Sequence, residues 1–464
     1  MTGIVAHGVH LPLRRMPLGL LRGGRAGEAE RTVAWSDEDS VTLGVAAARN
    51  CLTGRARDRI GLILFATTSH GYAEKQAAAL VARALDLPEG VRTADIAHST
   101  RGGAQALAAA IDAVRAGAAD EALVIAADCR SGAPGSDFEA NGGDAAAAFL
   151  IGTEGVIARH IGNVSRAEEI IDVWRRPGDR FPHGWEDRFV TEYGYLLPAA
   201  AAGDALKAER GANAEWHWVL SAPNARAHGS LAARLKLSPD QVEKPLFGKV
   251  GFCGTAHAPL QLASALDGGA QGRRIAMLAH GDGAEALLFE MEQASGRQSV
   301  EAALAARKPV ASLDIYRRAL GLDMTEYPAP DDQGISATVH YRERDENNAL
   351  GGQRCGCGEP QFPKGRVCIR CNKQGPFVRE SYAEGQGHLV TFTRDAFFPS
   401  AEPPTVVGIV QVENGPRIHM QIADIAADSV EIGMPVRFAF RRIHQAGRKP
   451  NYFWKAVPAA GGAK

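Results

Sequence analysis

Short apolar runs alternate with alanine-rich stretches over residues 40–310, the pattern of strands feeding helices in an α/β fold. RIGLILFATTS (59–69) reads as a strand entering a polar loop, and the helix after it closes with ALDL (84–87). WHWVLSAPN (216–224) repeats that order, and its helix closes with RLKL (234–237). AHSTRGGAQALAAAIDAV (97–114) is a small-residue loop feeding a helix; the strand EALVIAAD (121–128) and GGDAAAAFLIG (142–152) follow. The later copy is GFCGTAHAPLQLASALD (251–267), RIAMLAHG (274–281) and GDGAEALLFE (281–290). Three matched elements in one order predict two pseudo-equivalent halves, 1–165 and 166–315. The Gly-Asp and alanines opening the last strand of each copy go beyond generic strand–helix repetition.

The pattern changes after residue 315. Residues 316–345 are charge-rich, include YPAPDD, and read as a linker. In RCGCGEPQFPKGRVCIRC, the pairs Cys355/Cys357 and Cys368/Cys371 can offer four thiolates to one tetrahedral ion. That set favours zinc in a closed structural site with no position open for substrate, and predicts a ribbon over 346–376. GQGHLVTFT, PPTVVGIVQVENG and IGMPVRFAFRR then read as short strands of a small barrel over 377–464.

Hydrophobic content of 45% supplies a large core, and a net charge of −1 gives no field that would recruit nucleic acid or an anionic membrane. The opening MTGIVAHGVHLPLRR has no signal-peptide pattern, and no apolar run approaches the ~20 residues that span a bilayer. Cys51, Cys129 and Cys253 are scattered. These features predict a cytoplasmic protein without nucleic-acid or membrane partners.

GVHLP, GDAAAAFLIG, VGFCGTAHAPLQLASAL, HGDGAEALLFE and the duplication itself make residues 1–310 resemble the thiolase superfamily, in its hydroxymethylglutaryl-CoA synthase-like branch. Residues 345–458 are similar to the zinc-ribbon plus OB-fold module that accompanies such enzymes. The resemblance implies a duplicated αβαβα fold, a zinc ribbon and an all-β OB-fold barrel, with zinc as structural metal. It also implies a homodimer or higher homo-oligomer, CoA or acyl-CoA as substrate, and acyltransferase or carbon–carbon lyase chemistry beside a thioester.

The sequence departs from the family at its chemical positions. Thr100 stands where the resemblance places the acyl-accepting cysteine, with Ser99 one register away. Thr68 takes the place of the general-base glutamate. His-x-x-Asn becomes Ser221-Ala222-Pro223-Asn224, and Phe252 replaces an asparagine. Cys253 and His257, four residues apart in one loop, are the replacement candidates: a loop cysteine at a helix start can be a low-pKa nucleophile, or a packed apolar residue. His98 is a second candidate acid or base. Ser99, Thr100 and Asn224 can polarise a carbonyl. DVWRRPGDRFPHGWEDRFVTEYGY (172–195) mixes aromatics with arginines, and Arg180 and Arg188 are its candidates for holding a phosphate or carboxylate, or else it is a covering loop. Gly281 and Gly283 offer backbone to a cofactor. Together these replacements favour retro-aldol or retro-Claisen cleavage, or acyl transfer, without an acyl-cysteine; the alternative is a catalytically degenerate acyl-CoA-binding scaffold.

Overall fold

The computed structural model describes the chain apart from residues 26, 177, 185, 212–215, 323–336, 399, 447–448 and 460–464. YPAPDD, read above as linker, lies outside the described residues. The chain divides into two units. One is Met1–Trp35, Asp39–Ala82 and Leu87–Leu313; the other is Ser36–Glu38, Arg83–Asp86 and Asp314–Lys464.

Nine strands build one sheet in the first unit: β1 (Gly3–His10), β2 (Ile60–Thr67), β3 (Arg92–Ala97), β4 (Glu121–Cys129), β5 (Asp144–Gly152), β6 (Ala158–Ala167), β7 (His217–Leu220), β8 (Arg274–His280) and β9 (Gly283–Met291). Their order is β7-β8-β9-β6-β1-β5-β4-β2-β3. The duplication is explicit in this order. From β1 outward the pairings are antiparallel, antiparallel, parallel and parallel. From β6 outward they are antiparallel, antiparallel and parallel. The fourth pairing of the second half survives as an isolated parallel bridge between Trp218 and Val242.

Six helices follow the same repeat: α1 (Ser40–Cys51), α2 (Ala77–Ala84), α3 (Gly102–Arg115), α4 (Leu197–Arg210), α5 (Ala225–Arg234) and α6 (His257–Asp267). Asp39 and Thr42 start α1 with a reciprocal capping box. Helices α3 and α6 are equivalent in the two halves and pack on each other. Leu107, Ile111, Leu260 and Leu266 from these helices join Val124, Phe149, Met277 and Phe289 of the strands in one buried core. A second core gathers Trp216, Trp218, Leu206 and Leu288. Central helices clad by alanine can approach the sheet closely, which explains the alanine bias of the sequence.

In the second unit, Gly351–Cys355 pairs with Pro360–Gln361 and Phe377–Ser381 as a small ribbon sheet. Gln386–Asp395, Thr405–Val412, Arg417–Ile422, Pro435–Ala446 and Lys449–Pro458 close a five-stranded barrel. Its interior holds Leu389, Val410, Val436, Phe438 and Trp454, each fully buried. No helix among the described residues is long and apolar enough to cross a membrane.

Candidate functional site

Asp128 ends the apolar run of β4 and is fully buried. Its carboxylate accepts from the Thr67 hydroxyl (2.8 Å), from the N–H and hydroxyl of Thr68 (2.8 and 3.0 Å), and from the N–H and hydroxyl of Ser69 (3.0 and 2.8 Å). Thr255 adds its N–H at 2.8 Å and its hydroxyl at 3.1 Å. One buried charge thus ties the loop after β2 to the loop before α6, and its lone pairs are fully used. Thr68, expected at the general-base position, spends its hydroxyl on Asp128.

The loop before α3 lies across the end of β8. The Thr100 hydroxyl donates to the His280 carbonyl at 2.8 Å. Ser99 Oγ is buried and has no hydrogen-bond partner. Gly281, at φ +136°, passes so close that a Cβ there would meet both the Thr100 and the Ser99 hydroxyls. Gly283, at φ +111°, presses on the Arg166 backbone, so both glycines serve chain crossing. His98, also in this loop, is exposed and has a left-handed φ of +73°. Ser221 is buried at the end of β7, and its N–H donates to the Leu278 carbonyl at 2.9 Å. Asn224 caps α5, accepting from the Ala227 N–H at 2.9 Å.

Phe252 is the centre of the site. Its ring lies 5.1 Å from the His257 ring and 5.4 Å from the His280 ring, centroid to centroid. Tyr195 meets His280 edge-on at 4.7 Å. Burial, reinforced by His280 and His228, pushes His257 down to about 3. Burial also takes His280 down to about 4, with the Arg130 charge adding to the depression, and lowers His228. All three rings are therefore neutral near pH 7. His257 Nε2, His280 Nδ1, His228 Nε2 and the Tyr195 hydroxyl are buried with no hydrogen-bond partner. Four orphaned polar groups in one region need a ligand or water to satisfy them.

Cys253 is wholly buried among the apolar residues of the first core, and its thiol donates to the Gly251 carbonyl at 3.3 Å. Burial raises that thiol well above the ordinary range, with Asp144 and Asp128 adding to the rise. This is the opposite of the low-pKa helix-start thiolate read from the loop. The Cys253 N–H donates instead to His257 Nδ1 at 3.5 Å, which leaves the His257 proton on Nε2.

Arg180 and Arg188, expected to hold a phosphate or carboxylate, are both exposed, and Arg180 lies over the Phe181 ring. Trp185 of that segment lies outside the described residues. The arginines brought to the site are Arg130, whose guanidinium carbon sits 5.7 Å from the Phe252 ring centroid, and Arg175, which donates to the Thr68 carbonyl at 2.8 Å. The sequence reading missed Asp128, Arg130, Tyr195, His228 and His280. A signal existed for two of them. Asp128 and His280 are lone polar residues closing apolar strands at equivalent places in the two halves, and strand ends are where α/β sheets place ligands.

In the second unit, the sulfurs of Cys355 and Cys371 are 3.7 Å apart and those of Cys357 and Cys368 are 3.6 Å apart, and all four lie within 4.8 Å of one another. Zinc–sulfur bonds of about 2.3 Å set tetrahedral edges of about 3.8 Å, so the four thiolates fit a closed zinc site.

The duplicated sheet, the paired central helices and the strand-end site define a thiolase-like protein. Hydroxymethylglutaryl-CoA synthase of Methanosphaera stadtmanae is 30% identical over 309 residues, covering 63% of this chain and 88% of that protein. The Pyrococcus furiosus synthase is 31% identical over 302 residues, covering 62% and 86%. The chain belongs to the hydroxymethylglutaryl-CoA synthase family. MvaS in complex with 3-hydroxy-3-methylglutaryl coenzyme A has the same fold, with a TM-score of 0.61 at 24% identity over 71% of this chain and 94% of that one. The family model for the ChsH2 C-terminal OB-fold domain matches residues 380–441.

Proposed function

We propose that this chain is an acyl-CoA-dependent C–C bond enzyme that works by proton transfer and enolate stabilisation, without an acyl-enzyme. The preferred direction is retro-aldol or retro-Claisen cleavage of a β-hydroxy- or β-keto-acyl compound, with acyl transfer as its counterpart. One observation carries this reading: neutral imidazoles with unpartnered nitrogens surround Phe252, next to the loop where Thr100 stands in place of the family cysteine. In the retro-aldol direction His280 Nδ1 takes the β-hydroxyl proton. The Cα–Cβ bond then breaks, the carbonyl fragment departs, and the electron pair remains on the thioester as an enolate. His257 Nε2–H and the Ser99 hydroxyl donate to the enolate oxygen, and the proton returns to Cα. In the retro-Claisen direction the thiol of free CoA adds to the β-keto carbon and supplies the second thioester. Cys253 is packing in this scheme, and Thr68, Ser221 and Asn224 hold loops.

A cavity of about 570 Å³ is lined by Glu28, Glu30, Phe247, Lys249, Leu304 and Arg307, among others. Phe247 also packs its ring 5.5 Å from the His257 ring. This cavity is our candidate for the CoA end of the substrate, with the exposed Lys249 ammonium available to its phosphates. We also expect a homodimer, since β3 ends the sheet with one edge outside the sheet's pairing.

Incubation with β-hydroxy- and β-keto-acyl-CoAs between pH 6 and 9, with and without free CoA or acetyl-CoA, tests the proposal. Turnover that falls about 100-fold or more in His280→Gln is expected. Tight acyl-CoA binding with no C–C product from any member would instead establish the second reading, a binding scaffold. That reading draws on the Thr100 and Thr68 hydroxyls both being spent on internal hydrogen bonds.

A further inference from the structure

Helix α6 (HAPLQLASALD) carries four polar side chains on a buried, otherwise apolar element. His257 accepts from the Cys253 N–H, Ser264 donates to Glu243 at 2.9 Å, and Asp267 accepts from Ser299 at 2.9 Å. Gln261 is the exception. It is fully buried, and among the described residues neither its amide oxygen nor its amide nitrogen has a hydrogen-bond partner. A buried amide with both ends unmet destabilises the fold, and a leucine or methionine at this place would not. Such a group is kept where something outside the chain completes it.

The neighbouring contacts place Gln261 one turn behind His257. Residues 257, 261 and 264 are four and three positions apart and share one stripe of the helix. The segment 243–247 lies along that stripe. Glu243 meets Ser264 at one end, and the Phe247 ring lies 5.5 Å from the His257 ring at the other. Gln261 falls between these contacts, and a helical side chain leans towards the helix N-terminus, here towards His257. His257 is itself fully buried, and its Nε2 has no partner among the described residues. Its Nδ1 accepts the Cys253 N–H, so Nε2 carries the proton. An imidazole N–H and an amide NH2 one turn apart, both unmet, are two donors for a single oxygen atom. Phe247 also lines the cavity assigned above to the CoA end, so this oxygen position adjoins the thioester.

We propose that Gln261 and His257 form one buried oxygen-binding pocket, and that Gln261 is a further ligand-contacting residue whose amide donates to the thioester carbonyl oxygen. This rests on the acyl-CoA reading above and deepens it. The test compares acetyl-CoA with free CoA, which lacks that oxygen, in the full chain and in Gln261→Met, which keeps the side-chain length and removes the amide. Three quantities are read: affinity by calorimetry, the infrared carbonyl stretch of isotope-labelled bound acetyl-CoA, and the urea midpoint of the unliganded chain. Gln261→Met should weaken acetyl-CoA by about fivefold or more and leave free CoA unchanged. The carbonyl stretch, lowered on binding to the unsubstituted chain, should move back towards its value in free acetyl-CoA. The urea midpoint should rise, because an unmet polar group has been removed. Gln261→Leu repeats the three measurements should the methionine variant fail to fold. A lower midpoint in both variants overturns the proposal, since the amide would then be satisfied within the fold. Equal weakening of acetyl-CoA and free CoA also overturns it, as does a carbonyl stretch that the substitution leaves in place, the sign of a pocket holding only water. Binding with the expected shifts but no turnover of any β-oxygenated acyl-CoA would keep this assignment and remove the enzymatic one. An unsubstituted chain that binds neither probe removes the acyl-CoA reading and this pocket's ligand together.

Discussion

The buried imidazoles give the site a pH signature that a surface histidine would not. His257 and His280 are held below the ordinary 6.5 by burial, at about 3 and about 4. Between those values and 6.5 the unfolded chain binds protons that the folded chain refuses. Their contribution to stability is therefore complete above about pH 6.5 and falls as the pH drops towards 4, by about 1.4 kcal/mol per pH unit for each ring. His257→Gln should flatten that slope between pH 6.5 and 4.5 in denaturant titrations, and an unchanged slope would mean that the ring is not held neutral. The same depression keeps His280 competent as a base on the acid side, so the acid limb of kcat/KM should lie well below pH 6.5. Cys253 makes the complementary prediction. Its thiol is raised and its sulfur is engaged with the Gly251 carbonyl, so a short alkylating agent should leave Cys253 untouched in the folded chain and label it only after denaturation. Cys253→Ala should keep near-normal turnover, and abolished turnover would restore the nucleophile reading.

At the scale of elements, the site is a convergence of loops held by two devices, a saturated carboxylate and a close chain crossing. Asp128→Ala would leave the N–H groups of Thr68 and Thr255 without their acceptor, and at about 1–3 kcal/mol for each unsatisfied group the loss should be about 2 kcal/mol or more. Gly281→Ala should destabilise by about 1–3 kcal/mol through its left-handed backbone and the collision with the Thr100 and Ser99 hydroxyls. Urea unfolding checks both, and a Gly281→Ala variant of ordinary stability would contradict the crossing. These devices explain what the sequence disclosed and what it hid. Strand and helix order was legible because β4 and β8 are continuous apolar runs and α3 and α6 follow small-residue loops, so the pairing of the two halves could be read before any contact was known. The site was legible only where it carried a motif. Thr68, Thr100 and Phe252 were placed by their departure from a family pattern. Arg130 and Tyr195 had no such marker, because their roles come from folding the segment 172–195 and the end of β4 against Phe252. The spacing from Cys253 marks His257, whereas the ring contact of His257 with Phe252 carries no mark in the sequence beyond the replacement of an asparagine.

For the whole molecule the question is whether the two units depend on each other for folding. The first has two large cores of its own. The second has the barrel interior around Leu389, Phe438 and Trp454, while its ribbon strands are only two to five residues long. So little apolar surface does not fold unaided, and metal binding by Cys355, Cys357, Cys368 and Cys371 would supply the difference as folding free energy. Cys368, fully buried among these thiols, is the sharpest place to test this. Cys368→Ser should lose about one zinc per chain by metal analysis, since a hydroxyl is a poor substitute for a thiolate. The loss should reach the barrel, because the Trp454 indole N–H donates at 3.0 Å to the Asn348 carbonyl just before the ribbon. Hydrogen exchange should therefore show residues 351–381 unprotected first and the barrel strands weakened next, while β1–β9 keep their protection. Full zinc retention would show that the cysteines are not the ligands. Simultaneous loss of protection in β1–β9 would show that the thiolase-like unit cannot stand without the ribbon and barrel.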